Sequence, residues 1–263
     1  MSHLLVTEWC AWLTASGRTD QTVSLRRHQL SRLAADVGDL LMVDGDALTE
    51  WLAGHEWAVS TLKSHCDAVR SFYSWAVATR RLVESPAATL VQVRVPARVA
   101  RPALADIVEA AIARADERRR LMLLLASKAG LRRGEIARVY SDDLMRDLVG
   151  WSLIVRGKGG RERLVPLVDD VAFLLRRRGP GWAFPGDVDG HLSPARVGEL
   201  VSELLPAHWT CHTLRHYFAT RTYAATRDII AVQRLLGHAK PETTMGYIGL
   251  GQDVLRGAVS WAA

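Results

Sequence analysis

The sequence predicts a mainly α-helical protein of two domains, with a small antiparallel sheet in the second domain. Apolar residues recur at helical spacing through most of the chain, and the two strand-like stretches both fall within residues 151–167. A segment with three prolines and no acidic residue, 86–103, separates the two helical parts. The length of 263 residues suits one large domain or two modest ones, each able to bury a core.

Four helices and no strand are predicted for the first domain, residues 1–88. Each helix is indicated by apolar residues on one face, with Gly17 as the stop after the first. The fourth helix ends before Ser85 and Pro86. The four faces are marked by Leu4, Leu5, Trp9, Trp12 and Leu13; by Val23, Leu25, Leu30 and Leu33; by Leu48, Trp51 and Leu52; and by Leu62, Val69, Phe72, Tyr73, Ala76 and Val77.

Residues 89–103 are predicted to form a basic linker, since prolines and arginines replace large apolar residues there. An ordinary surface loop inside one domain is the alternative. The second domain, 104–263, is predicted to begin with helices at 104–116 and 119–129. Two strands, Trp151–Arg156 and Glu162–Leu167, flank a glycine-rich hairpin turn. The remaining predicted helices follow Ser193 and Pro194 and cover 212–225, 228–236 and 241–248.

The distribution of charge favours a nucleic-acid partner. The net charge is +6, and the whole excess lies in residues 101–263, which hold 24 basic and 18 acidic residues. A basic surface neutralises phosphates and releases their counterions. Of the 34 basic residues 30 are Arg, a bias that a GC-rich genome would also produce.

Membrane and secreted classes are disfavoured by the sequence. No window approaches the ~20 continuous apolar residues of a membrane span, and the N-terminus lacks the pattern of a signal peptide. The three cysteines are far apart and odd in number, which argues against a disulfide framework. The sequence therefore predicts a cytoplasmic protein.

Several polar side chains of the second domain stand in apolar surroundings, and each could have a purely structural role. His212 and His216 could bind zinc, but HTLRH lacks the internal Glu of metalloproteases and no third ligand is evident, so no metal site is predicted. Among the rest, Arg132 could form an i,i+3 pair with Glu135, Lys158 could be a solvated turn residue, His238 a helix cap and Tyr247 a half-buried aromatic residue.

The order and spacing of these residues are more specific than any one of them. Arg132 lies in AGLRRGEI, Lys158 in GKGGRERLVPL, His212 and Arg215 in HTLRHYFAT, and His238 in LLGHAKPETT, nine residues before Tyr247. This series resembles the tyrosine recombinase (phage integrase) family of site-specific DNA recombinases. SFYSWAVATRRLVESPA, residues 71–87, also resembles the last helix of that family's core-binding domain. The resemblance thus covers nearly the whole chain.

The resemblance implies a fold and a role for each matched residue. The first domain would be a SAM-like helical bundle that binds core-type DNA, and the second an α+β catalytic domain. Tyr247 would attack the scissile phosphate to form a 3′-phosphotyrosyl bond. Further roles are implied for Arg132 and Arg215 as phosphate ligands, Lys158 as the general acid, His212 in deprotonation of the tyrosine, His238 as a donor to the phosphoryl oxygen, and Glu135 as the support of an arginine.

The resemblance also implies partners and the absence of a cofactor. The expected partners are double-stranded DNA core sites, three further copies of the chain in a tetramer on a Holliday junction, and an accessory directionality factor. Arginines would do the work of metal ions, so no cofactor is expected. A C-terminal segment around Val254, Leu255, Ala258, Val259 and Trp261 would dock on a neighbouring protomer, or pack in cis. Candidate DNA contacts are Arg26, Arg27, Lys63, Arg70, Arg94 and Arg98.

Four functions remain open on the sequence alone. A phage or mobile-element integrase without an arm-binding domain is favoured over a Xer-type dimer resolvase, because residues 1–60 are rich in tryptophan and fit Xer sequences loosely. A type IB topoisomerase shares the chemistry but lacks a dedicated core-binding domain. A non-catalytic regulator would be expected to have lost the tyrosine or an arginine, and here all the positions are filled.

Overall fold

A computed structural model describes residues 2–96, 103–157 and 160–238. The chain divides into two compact units, Met1–Ala97 and Arg98–Ala263. The first is helical, and the second combines helices with a three-stranded antiparallel sheet. The predicted fold class is therefore confirmed. The linker predicted for 89–103 stays a prediction, because 97–102 lie outside the described residues.

The first unit is built from four helices around an aromatic and aliphatic core. Trp9 is fully buried and meets Phe72 edge-on, with ring centroids 5.6 Å apart. The Tyr73 hydroxyl donates to the carbonyl of Leu40 at 2.9 Å, which ties the fourth helix to the loop before the third. The helices are α1 (Ser2–Ala15), α2 (Asp20–Val37), α3 (Gly45–Ala53) and α4 (Val59–Ala78), followed by a 3-10 turn at Pro86–Thr89.

The core of the second unit contains a helical stretch that is buried on all its faces. Every residue from Leu121 to Ser127 is buried. The helices are α5 (Ala105–Arg114), α6 (Glu117–Ser127), α7 (Arg133–Ala137), α8 (Asp169–Arg177), α9 (Pro194–Ser202), α10 (Cys211–Thr226) and α11 (Ile229–Leu236). The strands are β1 (Leu144–Arg146), β2 (Trp151–Arg156), β3 (Glu162–Leu167) and β4 (Pro185–Val188), of which the first three form the sheet in the order β1-β2-β3.

The sheet contains the two predicted strands and one more. β2 and β3 pair antiparallel, with Leu153 opposite Val165 on the buried face. The additional strand β1 pairs with β2 and places Leu144 opposite Leu153. With three residues, β1 is too short to show any alternation in the sequence, and it is defined by its partner.

Three further features of the described parts of the chain bear on the sequence predictions. Cys10, Cys66 and Cys211 are free and buried. No helix there is both long and apolar enough to cross a lipid bilayer. The helix predicted for 241–248 and the C-terminal segment predicted to dock on a neighbour lie outside the described residues.

Candidate active site

Glu135 is a buried carboxylate shared by three arginines from different elements. Its side chain is 3% exposed. Arg132 donates from Nη1 to Oε1 at 2.8 Å, and Arg163 donates to both oxygens, at 2.9 and 2.8 Å. Arg215 Nη1 lies 3.6 Å from Oε2. One negative charge therefore faces three positive charges, which leaves the cluster with a net positive charge.

The local sequence explains how Arg132 and Glu135 meet. Gly130 adopts a left-handed φ of 66°, a conformation that glycine adopts without strain, and turns the chain from α6 toward α7. Arg132 has extended backbone angles at the N-cap of α7, and its backbone N–H donates to Oε2 of Glu135 at 2.9 Å. A glutamate at the third helical residue that reaches back to the N-cap N–H is the usual second half of a capping box. The predicted i,i+3 pair is thus present, and it is part of a larger cluster.

Arg215 is fully buried in the second turn of α10 and is held by backbone carbonyls. Its Nη1 donates to the carbonyl of Gly130, and its Nη2 donates to that of Leu236 at 2.6 Å. Nη2 also lies 3.1 Å from Nε2 of His238. A buried charge with this many acceptors is tolerable because each bond offsets part of the lost hydration.

His238 follows directly on the end of α11 and turns toward Arg215. Gly237 caps the helix in the left-handed conformation, at φ 64° and ψ 44°. Burial lowers the pKa of His238, and the charges of Arg215, Arg132 and Arg163 lower it further, to about 4. The ring is therefore neutral at neutral pH. Because Arg215 donates to Nε2, the proton of the neutral ring is on Nδ1.

His212 lies at the start of α10, one turn before Arg215. Burial lowers its pKa, and the charges of Arg215 and Arg132 add to that effect. Its ring meets the ring of His216 edge-on, with centroids 4.6 Å apart. Among the residues that the structure describes, no group of three or more His, Cys, Asp and Glu side chains could hold a metal ion.

Arg163 is the member of the cluster that the sequence does not reveal. It lies on β3, is 11% exposed, and donates from Nε to the carbonyl of Leu235 at 2.8 Å. In the sequence it is one of three arginines in the hairpin, RGKGGRER, and nothing there distinguishes it from Arg156 or Arg161. Its partners are 28 and 72 residues away, so only the fold identifies it.

The pKa of Glu135 reflects this environment. Burial alone would raise the pKa of this carboxyl group. The hydrogen bonds and charge of Arg163, the backbone N–H of Arg132 and the charge of Arg215 outweigh burial and lower the pKa from 4.5 to about 2. The carboxylate is therefore ionised throughout the physiological range.

We expect Glu135→Gln to destabilise the folded state by about 3 kcal/mol at pH 7, because it leaves buried arginines without their counter-charge. The free energy of unfolding in urea measures this. A depressed carboxyl pKa stabilises the folded state fully above the ordinary pKa of 4.5, and that contribution is lost as pH falls toward about 2. The difference between the wild type and the variant should therefore shrink between pH 5 and pH 3.

The control is Glu199→Gln, which breaks an exposed pair with Arg196 and should cost under ~1 kcal/mol. Equal effects of the two substitutions would contradict this expectation.

Gly237→Ala should disturb the same cluster sterically. A Cβ at this position would lie 2.9 Å from Cδ of Arg163, and φ is left-handed. We expect a loss of roughly 1–3 kcal/mol in the free energy of unfolding. Gly179→Ala is the matched control, since Gly179 has φ 76° and an added Cβ would meet nothing within 4 Å. If the two variants lose the same free energy of unfolding, the contact with Arg163 is not the cause.

Two predicted site residues and one predicted DNA contact cannot be placed. Lys158, Tyr247 and Arg98 lie outside the described residues. Of the other predicted DNA contacts, Arg27 and Arg94 are at least partly exposed. The remaining three have partners within the first unit: Arg26 donates to the carbonyl of Ser64 at 2.6 Å, Lys63 pairs with Asp67 at 2.9 Å, and Arg70 donates to the carbonyl of Leu90 at 2.7 Å.

An open groove between α2 and α4 contains polar side chains that the sequence pattern does not single out. Its volume is about 410 Å³. The guanidinium of Arg32 lies 5.3 Å from the ring centre of Trp57, and Trp57 stacks on His65 at 3.9 Å. Its polar lining comes from His28, Gln29 and Arg32 on α2 and from Ser60, Thr61, Ser64 and His65 on α4.

Known proteins share both the sequence pattern and the fold. The pattern of the phage integrase family matches residues 101–252. Tyrosine recombinase XerC of Xanthomonas campestris pv. campestris (strain B100) is 32% identical over 232 residues, which cover 81% of this chain and 71% of that protein. The structure of a lambda integrase dimer bound to a COC′ core site matches with a TM-score of 0.74 and 19% identity, over 95% of this chain and 77% of that one. A lambda integrase tetramer bound to a Holliday junction matches with a TM-score of 0.72 and 19% identity, over 91% and 77%.

Proposed function

Because the chain belongs to the phage integrase family of tyrosine recombinases, enzymes that break and rejoin DNA, we propose that Tyr247 is its nucleophile and that the cluster around Glu135 binds the scissile phosphate. The observation that carries this proposal is the net positive cluster of Arg132, Arg163 and Arg215 on one buried carboxylate. A phosphoryl transition state gathers negative charge, which such a preorganised site stabilises.

Each matched residue then has a role in the exchange of one phosphate ester for another. The phenol oxygen of Tyr247 forms a bond to phosphorus, and the bond from phosphorus to the 5′ oxygen breaks. His212 accepts the phenol proton, which its lowered pKa permits because the ring is neutral at pH 7. Lys158 donates a proton to the leaving 5′ oxygen. The 3′-phosphotyrosyl bond keeps the energy for rejoining, so no ATP is consumed.

Arg132 and Arg215 would bind the non-bridging oxygens of the phosphate. The Arg132 side chain is 40% exposed, and its ion pair with Glu135 fixes its position. This combination suits contact with a DNA strand. Guanidinium groups match phosphate oxygens in a planar, bidentate way that lysine cannot reproduce. His238 would donate a hydrogen bond to the same phosphate. With arginines in these places, we expect cleavage without an added metal or other cofactor.

The first unit would bind DNA through the groove between α2 and α4. Arg32, His28 and the serines of α4 offer both phosphate ligands and donors to base edges. Arg27 and Arg94 are at least partly exposed and suit phosphate contacts. The lambda integrase structures contain DNA core sites and a tetramer on a Holliday junction, and we propose the same partners here. An accessory directionality factor remains a candidate partner.

The biological setting that we propose is integration of a phage or mobile element. The name of the relative XerC favours the second candidate, a Xer-type resolvase of chromosome or plasmid dimers. The two differ in the DNA on which they act. An integrase should recombine a site beside its own gene with a different host site, whereas a resolvase should recombine two identical copies of one site. Plasmids that carry each pair of sites distinguish the two outcomes.

Covalent trapping tests the chemical proposal. The protein is mixed with EDTA and with nicked duplexes that cover the DNA beside its own gene, and adducts are resolved on a denaturing gel. We expect an adduct whose DNA-linked peptide, identified by mass spectrometry after nuclease digestion, contains Tyr247. Site-specific binding without an adduct on any nicked duplex would instead indicate a non-catalytic regulator, and relaxation of supercoils without site preference would indicate a topoisomerase.

A further inference from the structure

Arg163 joins three parts of the candidate site that are far apart in the sequence. Its two terminal nitrogens donate to the two oxygens of Glu135 on α7, and its Nε donates to the carbonyl of Leu235 at the end of α11. The side chain also packs against Gly237, where an added Cβ would lie 2.9 Å from Cδ of Arg163. One side chain on β3 therefore fixes the separation between α7, the sheet and the chain that leads into His238.

The geometry of this contact is demanding. A guanidinium that meets a carboxylate with both terminal nitrogens fixes the angle as well as the distance between the groups. The third bond, to the carbonyl of Leu235, is donated by the Nε N–H. A lysine could supply the charge, but its donors share one nitrogen and cannot reproduce the planar fork, so the arrangement depends on the shape of arginine.

We propose that Arg163 is a positioning residue for DNA cleavage. It holds Glu135, which fixes Arg132, and it holds the chain that leads into His238, so that Arg132 and His238 can contact the phosphate. This inference rests on the proposed function. Glu135 in turn holds Arg132 through its side chain and its backbone N–H. Loss of Arg163 removes one hydrogen bond from each carboxylate oxygen of Glu135. It also removes the hydrogen bond to the carbonyl of Leu235, two residues before Gly237.

The electrostatic effect of Arg163 points the same way. Burial raises the pKa of Glu135, and the hydrogen bonds and charge of Arg163 are the largest of the contributions that lower it. Among the described residues, Arg132 and Arg215 are the other charged groups in contact with this carboxylate, and neither donates to both of its oxygens from its guanidinium group. Without Arg163, the pKa of Glu135 should rise toward the range in which cleavage is measured.

The test compares Arg163→Met and Arg163→Lys with Arg156→Met. Arg156 lies on the adjacent strand β2 and also pairs with a buried carboxylate, Asp143, so it controls for the loss of an arginine pair in the same hairpin. The rate of adduct formation on a nicked duplex is measured at saturating protein from pH 5.5 to pH 8, and DNA affinity is measured separately. The fraction of folded protein is determined for each variant at each pH.

We expect Arg163→Met to lower the adduct rate by about 10–100-fold, by analogy with residues that orient metal ligands, while DNA affinity changes by less than about twofold. The loss should be greater at pH 5.5 than at pH 8, because removal of Arg163 raises the pKa of Glu135. Arg163→Lys keeps the charge, so its pH profile should be close to that of the wild type. Its adduct rate should stay close to that of Arg163→Met. If Arg163→Met cleaves as fast as Arg156→Met, or if its loss equals its unfolded fraction, the proposal is wrong.

A second readout does not depend on cleavage. The ring nitrogens of His238 are followed by NMR in the wild type and in Arg163→Lys, which keeps the charge and removes the fork. We expect the His238 signals to shift in Arg163→Lys and to stay in place in Arg156→Met. Unchanged His238 signals would overturn the positioning role even if the wild type formed no adduct. Absence of an adduct in the wild type would instead contradict the proposed function.

Discussion

Tyr247→Phe should abolish the covalent adduct with nicked DNA, with a loss of at least about 10⁴-fold in cleavage rate. The substitution removes one oxygen atom and keeps the ring, so the group that would bond to phosphorus is lost while little else changes. Covalent catalysis requires a nucleophilic atom, and the side chain of phenylalanine has none. DNA affinity should stay within about twofold of the wild type, as measured by gel shift on the same duplex.

The control for Tyr247→Phe is Tyr223→Phe, which removes the hydroxyl of a partly buried tyrosine on α10 beside Arg227. That variant should form the adduct at nearly the wild-type rate. An adduct that persists in Tyr247→Phe would show that another residue attacks the phosphate, and it would remove the main support for the assigned roles. Equal loss in both variants would point to damage to the second unit instead.

Arg215→Lys should lower the rate of adduct formation by about 10²–10³-fold, the range found when one preorganised donor is removed from a charge-stabilising site. Lysine keeps the positive charge near Glu135 but cannot donate at once to the carbonyls of Gly130 and Leu236 and to His238. Two buried carbonyls then lose a charged donor, and His238 loses the group that orients its ring. Single-turnover cleavage at saturating protein measures the effect.

Arg120→Lys is the matched control for this substitution. Arg120 also donates to two backbone carbonyls, those of Ile112 and Ala115, in the second unit but outside the candidate site. We expect it to lower thermal stability slightly and to leave the cleavage rate of the folded fraction unchanged. If Arg215→Lys cleaves within a few-fold of Arg120→Lys, then Arg215 is a structural residue and its assignment to the phosphate fails.

The sequence is sufficient to predict the fold class, because apolar periodicity reports buried helix faces directly. It is insufficient for β1, which has three residues and is a strand only because β2 lies beside it. The assignment of Arg132, Glu135, Arg215 and His238 to one site comes from motif order, and the structure brings these four side chains together. The roles of Tyr247 and Lys158 stay predictions.

Arginines are where sequence reasoning is weakest in this chain. The same residue type on a polar helix face can bind DNA or turn inward to a carbonyl, and the pattern of neighbours does not distinguish these cases. The sequence favours Arg26 and Arg70 as DNA contacts, yet each donates to a backbone carbonyl of its own unit. Nothing in the sequence predicts that Arg163 donates to both carboxylate oxygens of Glu135. In each case the deciding acceptor is more than 15 residues away in the sequence.

The sharing of Glu135 among three arginines has a consequence for how this protein can change. The three arginines come from different elements: Arg132 from the N-cap of α7, Arg163 from β3 and Arg215 from α10. All three contact the same pair of carboxylate oxygens, those of Glu135. Residues in one such network couple strongly, so the effects of two substitutions within it should not add. The four positions therefore form one epistatic unit. Variation in target choice would have to arise elsewhere, and the groove between α2 and α4 shares no residue with that unit.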